Sequence, residues 1–320
     1  MSAVDPNARL WGLMRGAMAT KALGVTADLG VADALARGPR SISELAKETG
    51  ANADTLHRLL RALASDGVFA EDEPGIFRNT EASELLRGDN PSRWGEFAHL
   101  FGDVFYTAVA GIDPQTSEPT FKRAYGTGFW QWLAANPKER ASFDRAMAGG
   151  KARSADKLAV LEWRGDETVV DVGGGNGELL RKLIERRPEL KGVVFDLPET
   201  DRDETEFGDR IEFVPGDFFE RVPEGDVYVL SGILHDWDDE RAAAILRVVH
   251  TAAPPSARLL LVESVVPPGN EPNGAKWLDL LMLVLEAGRE RTEPEWHALL
   301  ERSGFQIDEL EDGLIQARCR

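Results

Sequence analysis

The 320-residue chain holds a single cysteine, Cys319, next to its last residue. One thiol excludes an internal disulfide framework and a thiolate metal cluster, and it suits a reducing compartment, so a cytoplasmic location is expected. No apolar run approaches ~18 residues, so no segment reads as a membrane span. The opening stretch, MSAVDPNARLWGL, lacks a basic region followed by an apolar core, and no signal peptide is expected. Positive charge is scarce: 37 Lys and Arg stand against 55 Asp and Glu, a formal net charge of −18. A field of that sign opposes binding to nucleic acid and to anionic lipid. Of the five histidines no two have metal-ligand spacing, so no metal is expected. Internal repeats and low-complexity tracts are missing as well. What remains is a globular composition, 42% hydrophobic, and a length that fits two domains.

Against that background one stretch organises the rest: residues 168–180, TVVDVGGGNGELL. Thr168, Val169 and Val170 are β-branched and predict a buried parallel strand. Gly173, Gly174, Gly175 and Gly177 allow a tight turn and close approach of backbone to a ligand. Leu179, Leu180, Leu183 and Ile184 then keep helical spacing. Strand, glycine turn and helix together make a nucleotide-type ligand site at the carboxyl end of a strand. A dinucleotide site wants G-x-G-x-x-G and a pyrophosphate on the helix amino terminus. Here the glycines run G-G-G-x-G, and Asp171 stands two residues before the first. A carboxylate there repels pyrophosphate and suits a cation, such as the sulfonium and ammonium of S-adenosylmethionine. A purely structural turn is the bland alternative.

Ahead of that stretch the pattern is helical. Residues 10–35 carry Leu10, Leu13, Met14, Met18, Leu23, Val25 and Leu29 over a broad apolar face, expected to be covered by a second subunit. In residues 41–50, SISELAKETG, Ser41 and Glu44 form a capping box and Gly50 ends the helix. A second helix places Leu56, Leu59, Leu60 and Leu63 on one face, with Gly67 as its C-cap. A short hairpin through 69–79 completes a winged-helix shape spanning residues 1–90. That shape suits a DNA reader, and His57, Arg58 and Arg61 lie on the second helix. Yet Asp54, Asp66, Glu71, Asp72 and Glu73 surround them, and the charge favours a dimerisation module. Residues 91–150 are rich in aromatics, expected to be core with some lining an apolar ligand site. Asn136-Pro137 starts a helix carrying Phe143 and Met147, and Gly149-Gly150 permits a bend.

From 151 to 320 strand and helix alternate. Strands are expected at 192–197, 211–217, 226–234 and 257–267, helices at about 275–287 and 292–303, and a closing hairpin around Gly313. Repeated βα units predict an α/β fold: a mostly parallel sheet covered on both faces, with the final hairpin as an antiparallel edge.

Acids fall at the ends of neighbouring strands. Asp196 ends the second, where it can take both ribose hydroxyls. Asp217 ends the third, where adenine would lie, with Phe218 beside it to cover the ring; a plain turn aspartate is the alternative. The fourth strand ends in LHDWDDE, and His235 there is placed to act as a base, being an imidazole that titrates near working pH. Asp238 is a candidate cap of the next helix. Two carboxylates could orient the imidazole. Glu263 lies in an apolar strand and needs a partner. Glu290 lies in GRERTEPEW just ahead of a helix capped by Thr292; a pair with Arg289 or Arg291 is its alternative. A carboxylate on the ring would fix its tautomer and stabilise the imidazolium. No serine or cysteine elbow accompanies it, which argues against a hydrolase. His297 reads as helix surface, and His99 and His250 as packing or surface residues.

The pieces VVDVGGGNG, FDLPE, GDFF, LHDWDDE, VESVVPPG, LDLLMLVLEAGRERTEPEW and the terminal SGF stand in one order through most of the carboxyl-terminal half. In this the chain resembles the small-molecule O-methyltransferases of the caffeate, hydroxyindole and polyketide-tailoring type. The resemblance implies a class I methyltransferase Rossmann-like sheet and an α-helical winged-helix domain that makes an interlocked homodimer. It implies S-adenosylmethionine held by Asp171, Gly173, Gly175, Asp196, Leu197, Asp217, Phe218 and Ser231. Ser231 stands where plant relatives have a lysine. It implies His235 as general base flanked by Glu263 and Glu290, and an aromatic acceptor met by Phe143, Met147, Asp236 and Leu281. Asn176 and Glu286 depart from the family pattern, and Glu286 fits either a basic acceptor or an exposed helix end. Two other readings stay open: a same-fold enzyme that binds the donor but decarboxylates, hydroxylates or cyclises, and a winged-helix ligand-sensing regulator.

Overall fold

A computed structural model describes residues 5–116, 118–198, 200 and 208–320; the first four residues and Glu199 of the FDLPE motif lie outside that set. The chain forms two compact units, Met1–Ala110 with Pro137–Gly149, and Gly111–Asn136 with Gly150–Arg320. Among the described residues no helix is long and apolar enough to cross a membrane.

In the first unit a helix over Pro6–Asp28 begins with Pro at its first turn and Asp5 accepting from the Asn7 N–H. It is shorter than the expected 10–35 because Gly30, left-handed at φ 65°, starts a separate short helix, Val31–Ala34. Leu10, Trp11, Leu13, Met14 and Met18 are 58–65% exposed. Gly24 allows the helix to touch Trp94–Gly102 backbone to backbone, since a Cβ on Gly24 would stand 2.8 Å from the Gly102 Cα. The Ser41/Glu44 capping box opens the helix Ile42–Thr49, and left-handed Gly50 closes it. The next helix, Ala53–Ser65, is capped by Asp66 rather than Gly67, which follows at φ 77°. Strands β1 (Arg40–Ser41), β2 (Phe69–Glu73) and β3 (Ile76–Asn79) pair in the order β1-β3-β2 to make the wing. Leu45, Leu56, Leu60, Leu63, Phe69 and Phe77 fill the core. Arg58 pairs with Asp54 at 3.0 Å and His57 with Glu71 at 3.3 Å, so two of the three basic groups on that helix already face acids. The helix Pro137–Ala159 runs unbroken through Gly149-Gly150. Gly149 serves close packing instead of a bend: a Cβ there would lie 2.6 Å from the Ser92 carbonyl oxygen.

The second unit is built on seven strands: β4 (Thr168–Val172), β5 (Lys191–Asp196), β6 (Ile211–Pro215), β7 (Val227–Ser231), β8 (Arg258–Val262), β9 (Phe305–Glu311) and β10 (Leu314–Cys319). Their order is β6-β5-β4-β7-β8-β10-β9, with β4 to β8 parallel and β10 antiparallel to both neighbours. The valine- and leucine-rich runs of β4, β7 and β8 are buried on both faces, as a helix-covered parallel sheet requires. Leu179, Leu180 and Leu183 bury the inner face of the helix Glu178–Arg186. β5, β6, β7 and β8 stop at Asp196, Pro215, Ser231 and Val262, short of the expected ends at 197, 217, 234 and 267, so the residues that follow lie in loops at the carboxyl edge. The hairpin turns on Asp312 and Gly313, both at positive φ.

His99 is neither plain packing nor plain surface. Within the first unit its Nδ1 lies 2.7 Å from Asp28 Oδ1 and its Nε2 2.7 Å from Glu139 Oε2, joining three helices. Burial favours the neutral ring, but hydrogen bonds to Glu139 and Asp28 outweigh it and raise the pKa. A raised native pKa adds stability that is full below about pH 6.5, the ordinary histidine value, and is lost as pH rises through the native value. His99→Gln is therefore expected to cost about 1–3 kcal/mol near pH 6 and less near pH 9, followed by denaturant unfolding across pH. An equal cost at both pH values would contradict the charged bridge.

Candidate functional site

The glycine turn after β4 lies at the sheet's carboxyl edge. Gly173 and Gly175 sit at φ 72° and 59°, where a side chain is strained, and Gly175 has open space in front of it. Asp171, one residue before the end of β4, pairs in register with Val194 of β5 and Val229 of β7. It is 1% exposed, and neither carboxylate oxygen has a hydrogen-bond partner among the described residues. Burial, with nearby Asp196 adding and Lys151 opposing, lifts its pKa to about 6. Asp196 ends β5 and ties two loops together. Its Oδ2 accepts from Gly175 N at 2.7 Å, and its Oδ1 from Leu197 N at 2.7 Å and Thr200 Oγ1 at 2.8 Å. Leu197 is 43% exposed beside it.

Asp217 does not end its strand. β6 stops at Pro215, and Asp217 lies two residues on, where its Oδ1 accepts from Phe219 N at 2.8 Å in a side-chain-closed turn. Phe218 lies tilted at 5.0 Å against Phe219 and edge-on at 6.2 Å against Trp237; its ring edge lies 3.6 Å from where a Cβ on Gly173 would stand. Ser231 ends β7, buried, with its Oγ donating to Ser154 Oγ at 3.3 Å. An unpartnered buried carboxylate behind an open glycine turn, with an aromatic ring alongside, fits a nucleoside ligand that carries positive charge.

Next to this edge, β7 runs into a 3-10 turn, Leu234–Asp236, that carries His235. Its Nδ1 stands 2.7 Å from Glu290 Oε1. An ionised carboxylate only accepts, so Nδ1 donates and Nε2 is left for other partners. Asp236 Oδ1 is 3.5 Å from Nε2, and Glu263 Oε2 is 4.0 Å from Nδ1. Glu263 anchors the turn itself: its Oε1 accepts from the N–H groups of Ile233 at 3.0 Å and Leu234 at 2.8 Å. The side chains of Glu263 and Glu290 are sealed from solvent, whereas those of His235 and Asp236 keep 17% and 20% exposure, so these two form the accessible edge. Burial alone would lower the His235 pKa, but Asp236, Glu263 and Glu290 outweigh it and raise it to about 10. Three surrounding carboxylates thus push the ring above the expected range near working pH. Burial, with Glu263, Glu286 and Glu290, likewise lifts Asp236 to about 7 against the opposing pull of His235. The ligand atoms of His235, Glu263 and Glu290 all lie within 4.8 Å of one another. They come from three distant segments, so no sequence spacing discloses them.

The turn is gripped by residues 288–291. Arg289 N donates to the His235 carbonyl at 2.8 Å. Arg291, fully buried, donates to the carbonyls of Leu234 and Trp237 and to Asp239 Oδ1, each at 2.9 Å, and lies over the Trp296 ring. The alternative of a Glu290 pair with Arg289 or Arg291 is not what forms, since both arginines reach Asp239. Sequence reasoning missed Arg291 as a clamp because most of its partners are backbone carbonyls, which leave no side-chain signal.

Leu281 is buried on the helix Gly274–Glu286. Phe143 and Met147 are half-buried one turn apart on Pro137–Ala159, in the first unit; the second unit by itself does not contain them. Glu286 is explained without an unusual ligand: its Oε1 accepts from the N–H groups of Phe129 and, at 3.3 Å, Trp130, the start of the helix Phe129–Ala135. Asp238 caps Asp239–Ala252 and Thr292 caps Glu293–Arg302, as expected; the structure adds a capping box between Thr292 and Glu295. His297 is exposed, and His250 packs edge-on against Phe305.

The chain matches the model of the O-methyltransferase domain over residues 105–306 and that of the O-methyltransferase dimerisation domain over 11–89. It is 41% identical over 318 residues to phenazine O-methyltransferase PhzM of Lysobacter antibioticus, covering 96% of this chain and 93% of that protein. The crystal structure of LaPhzM superposes with a TM-score of 0.92 at 40% identity, covering 99% and 100% of the two chains. The O-methyltransferase NcsB1 from neocarzinostatin biosynthesis, solved with S-adenosyl-L-homocysteine and 1,4-dihydroxy-2-naphthoic acid, gives 0.79 at 32% identity, covering 94% and 96%.

A Cβ on Gly288 would stand 2.2 Å from the His235 carbonyl oxygen, whereas one on Gly274 meets nothing within 4 Å. Gly288→Ala is therefore expected to lower the unfolding free energy by about 1–3 kcal/mol in denaturant titration. Gly274→Ala should leave it within about 0.5 kcal/mol. Equal effects would contradict the grip on the His235 turn.

Proposed function

This chain belongs to the O-methyltransferase family, and from that premise we propose that it methylates a hydroxyl of an aromatic or polyketide-like small molecule with His235 as general base. The observation that carries the proposal is the 2.7 Å contact of His235 Nδ1 with buried Glu290, which leaves Nε2 on the accessible edge. S-adenosylmethionine, when bound, supplies the methyl group. Asp171, Gly173 and Gly175 would meet its amino-acid end, Asp196 and Leu197 its ribose, and Asp217 with Phe218 its adenine. Asp236 and Leu281 are the acceptor contacts within the second unit; Phe143 and Met147 are proposed on the family resemblance alone.

In this reading His235 Nε2 takes the acceptor's proton, and Glu290 stabilises the imidazolium through Nδ1–H. A ring whose pKa is raised to about 10 matches a phenol near ~10, so the shared proton moves at little cost. Glu263 holds the turn that carries the ring. Retention of the histidine and both glutamates supports methyl transfer over non-methylating chemistry on the same fold. The dimerisation-domain match and the exposed apolar face of Pro6–Asp28 support a homodimer through the first unit. A cytoplasmic location is part of the same proposal, supported by the lone cysteine.

His235→Ala is expected to lower turnover of a hydroxynaphthoate or hydroxyphenazine acceptor by about 10²–10⁴-fold while calorimetric affinity for S-adenosylhomocysteine stays. Unchanged turnover would contradict the base. Because the free ring holds its second proton below about pH 10, turnover of a weakly acidic phenol should climb between pH 7 and 9. A flat profile would contradict that assignment. The proposal requires no metal, so transfer should persist in EDTA; loss that added zinc or magnesium restores would place a cation at the carboxylate–imidazole cluster instead.

A further inference from the structure

Glu290 has to be held in place by something other than the ring it touches. Its carboxylate is sealed from solvent and meets His235 Nδ1 at 2.7 Å, while its Oε2 has no partner among the described residues. A hydrogen bond weakens steeply once its distance or angle leaves a narrow range, so this contact is only as exact as the backbone behind it. That backbone is a short return segment. The helix Gly274–Glu286 ends on Ala287, which takes the left-handed region at φ 57°, uncommon for a residue with a Cβ. The neighbours of Glu290 are then tied to main chain: Arg289 N donates to the His235 carbonyl at 2.8 Å, and the Arg291 carbonyl accepts from Val266 N at 2.9 Å. Glu290 itself is held by a side chain. Its N–H donates to Asp279 Oδ1 at 2.9 Å, 11 residues back and about two turns before the helix end. An N–H bound to an ionised carboxylate makes a stronger bond than one to a neutral oxygen. Asp279 lines an open groove with Asp239, Leu283 and Arg289. Among the described residues no hydrogen bond or ion pair joins it to His235, so it bears on the ring through Glu290.

We propose that Asp279 is a positioning residue for the base: its carboxylate fixes the Glu290 backbone, and through it the carboxylate that orients His235. The assignment rests on the general-base reading given under Proposed function. The acids facing the ring are Asp236, Glu263 and Glu290, and of these Glu290 is the one whose main chain Asp279 holds.

The test pairs Asp279→Ala, which removes the acceptor oxygen, with Asp279→Asn, which removes the charge but keeps an amide oxygen for the Glu290 N–H. The readouts on the full chain are a nitrogen-15 titration of His235, which needs no acceptor and decides the matter, and turnover of 1,4-dihydroxy-2-naphthoic acid. Asp279→Ala is expected to lower the His235 midpoint by about 1 pH unit and kcat by about 10-fold, with KM for the acceptor within about threefold. Asp279→Asn should stay within about 0.3 pH unit and threefold of the unmodified chain. In a chain that already carries Glu290→Ala, Asp279→Ala should add no further shift or loss, because nothing is left for it to hold. An unmoved midpoint in Asp279→Ala, equal damage by the two substitutions, or additive effects on Glu290→Ala overturns the proposal. So does loss of S-adenosylhomocysteine binding by Asp279→Ala, the mark of a general structural role. Full turnover by His235→Ala would instead overturn the general-base reading, and the titration would still report whether Asp279 holds Glu290 to the ring.

Discussion

The structure depends on one hydrogen bond between charged partners kept from water, His235 Nδ1 to Glu290 Oε1 at 2.7 Å. Removing a carboxylate from water is costly unless it is paired and hydrogen-bonded. Glu290 meets that requirement with the imidazole on one oxygen; its Oε2 has no partner among the described residues. The cost is borne by the surroundings. Glu263 gathers two backbone N–H groups of the turn, Gly288 lets the chain pass against the His235 carbonyl, and Arg291 spends its guanidinium on backbone oxygens. The ring is thereby held with Nδ1 on Glu290. Rigid second contacts of this kind are what hold a reacting group within fractions of an ångström of a productive position.

The same sheet edge presents a second set of charges with a different logic. Asp171, Asp196 and Asp217 come from the ends of β4, β5 and the loop after β6, adjacent strands in the sheet. Asp196 takes three local N–H and O–H groups and shapes the loops, whereas Asp171 has no partner among the described residues. A buried group in that state is either strained or waiting for a ligand. The glycine turn beside it, open at Gly175, favours the ligand.

Much of this could be read in the sequence. Apolar runs broken by glycine and acid gave the parallel strands, because strands buried on both faces must be continuous in hydrophobicity. The Ser41/Glu44 capping box, the Thr292 cap and the turn at Gly313 were visible because their partners are near in sequence. His235 stood out by its place at a strand end and Glu263 as a charge in an apolar run, whereas Glu290, in the charged stretch GRERTEPEW, was singled out by its place ahead of a helix and by the family resemblance. What was not legible depends on contacts between distant backbone atoms. Gly149 looks like a bend and is a close approach to Ser92. Gly288 and Arg291 grip carbonyls, which carry no residue-type signature. His99 joins two acids that come from helices 71 and 40 residues away. Glu286 was ambiguous because the helix start it caps lies more than 150 residues earlier.

The most direct test of the central claim is a nitrogen-15 NMR titration of the His235 imidazole in the unmodified protein. The account predicts a proton that stays on Nδ1 through the titration and a midpoint for Nε2 well above the ordinary histidine value of about 6.5. A midpoint near 6.5, or a neutral ring with its proton on Nε2, would contradict it.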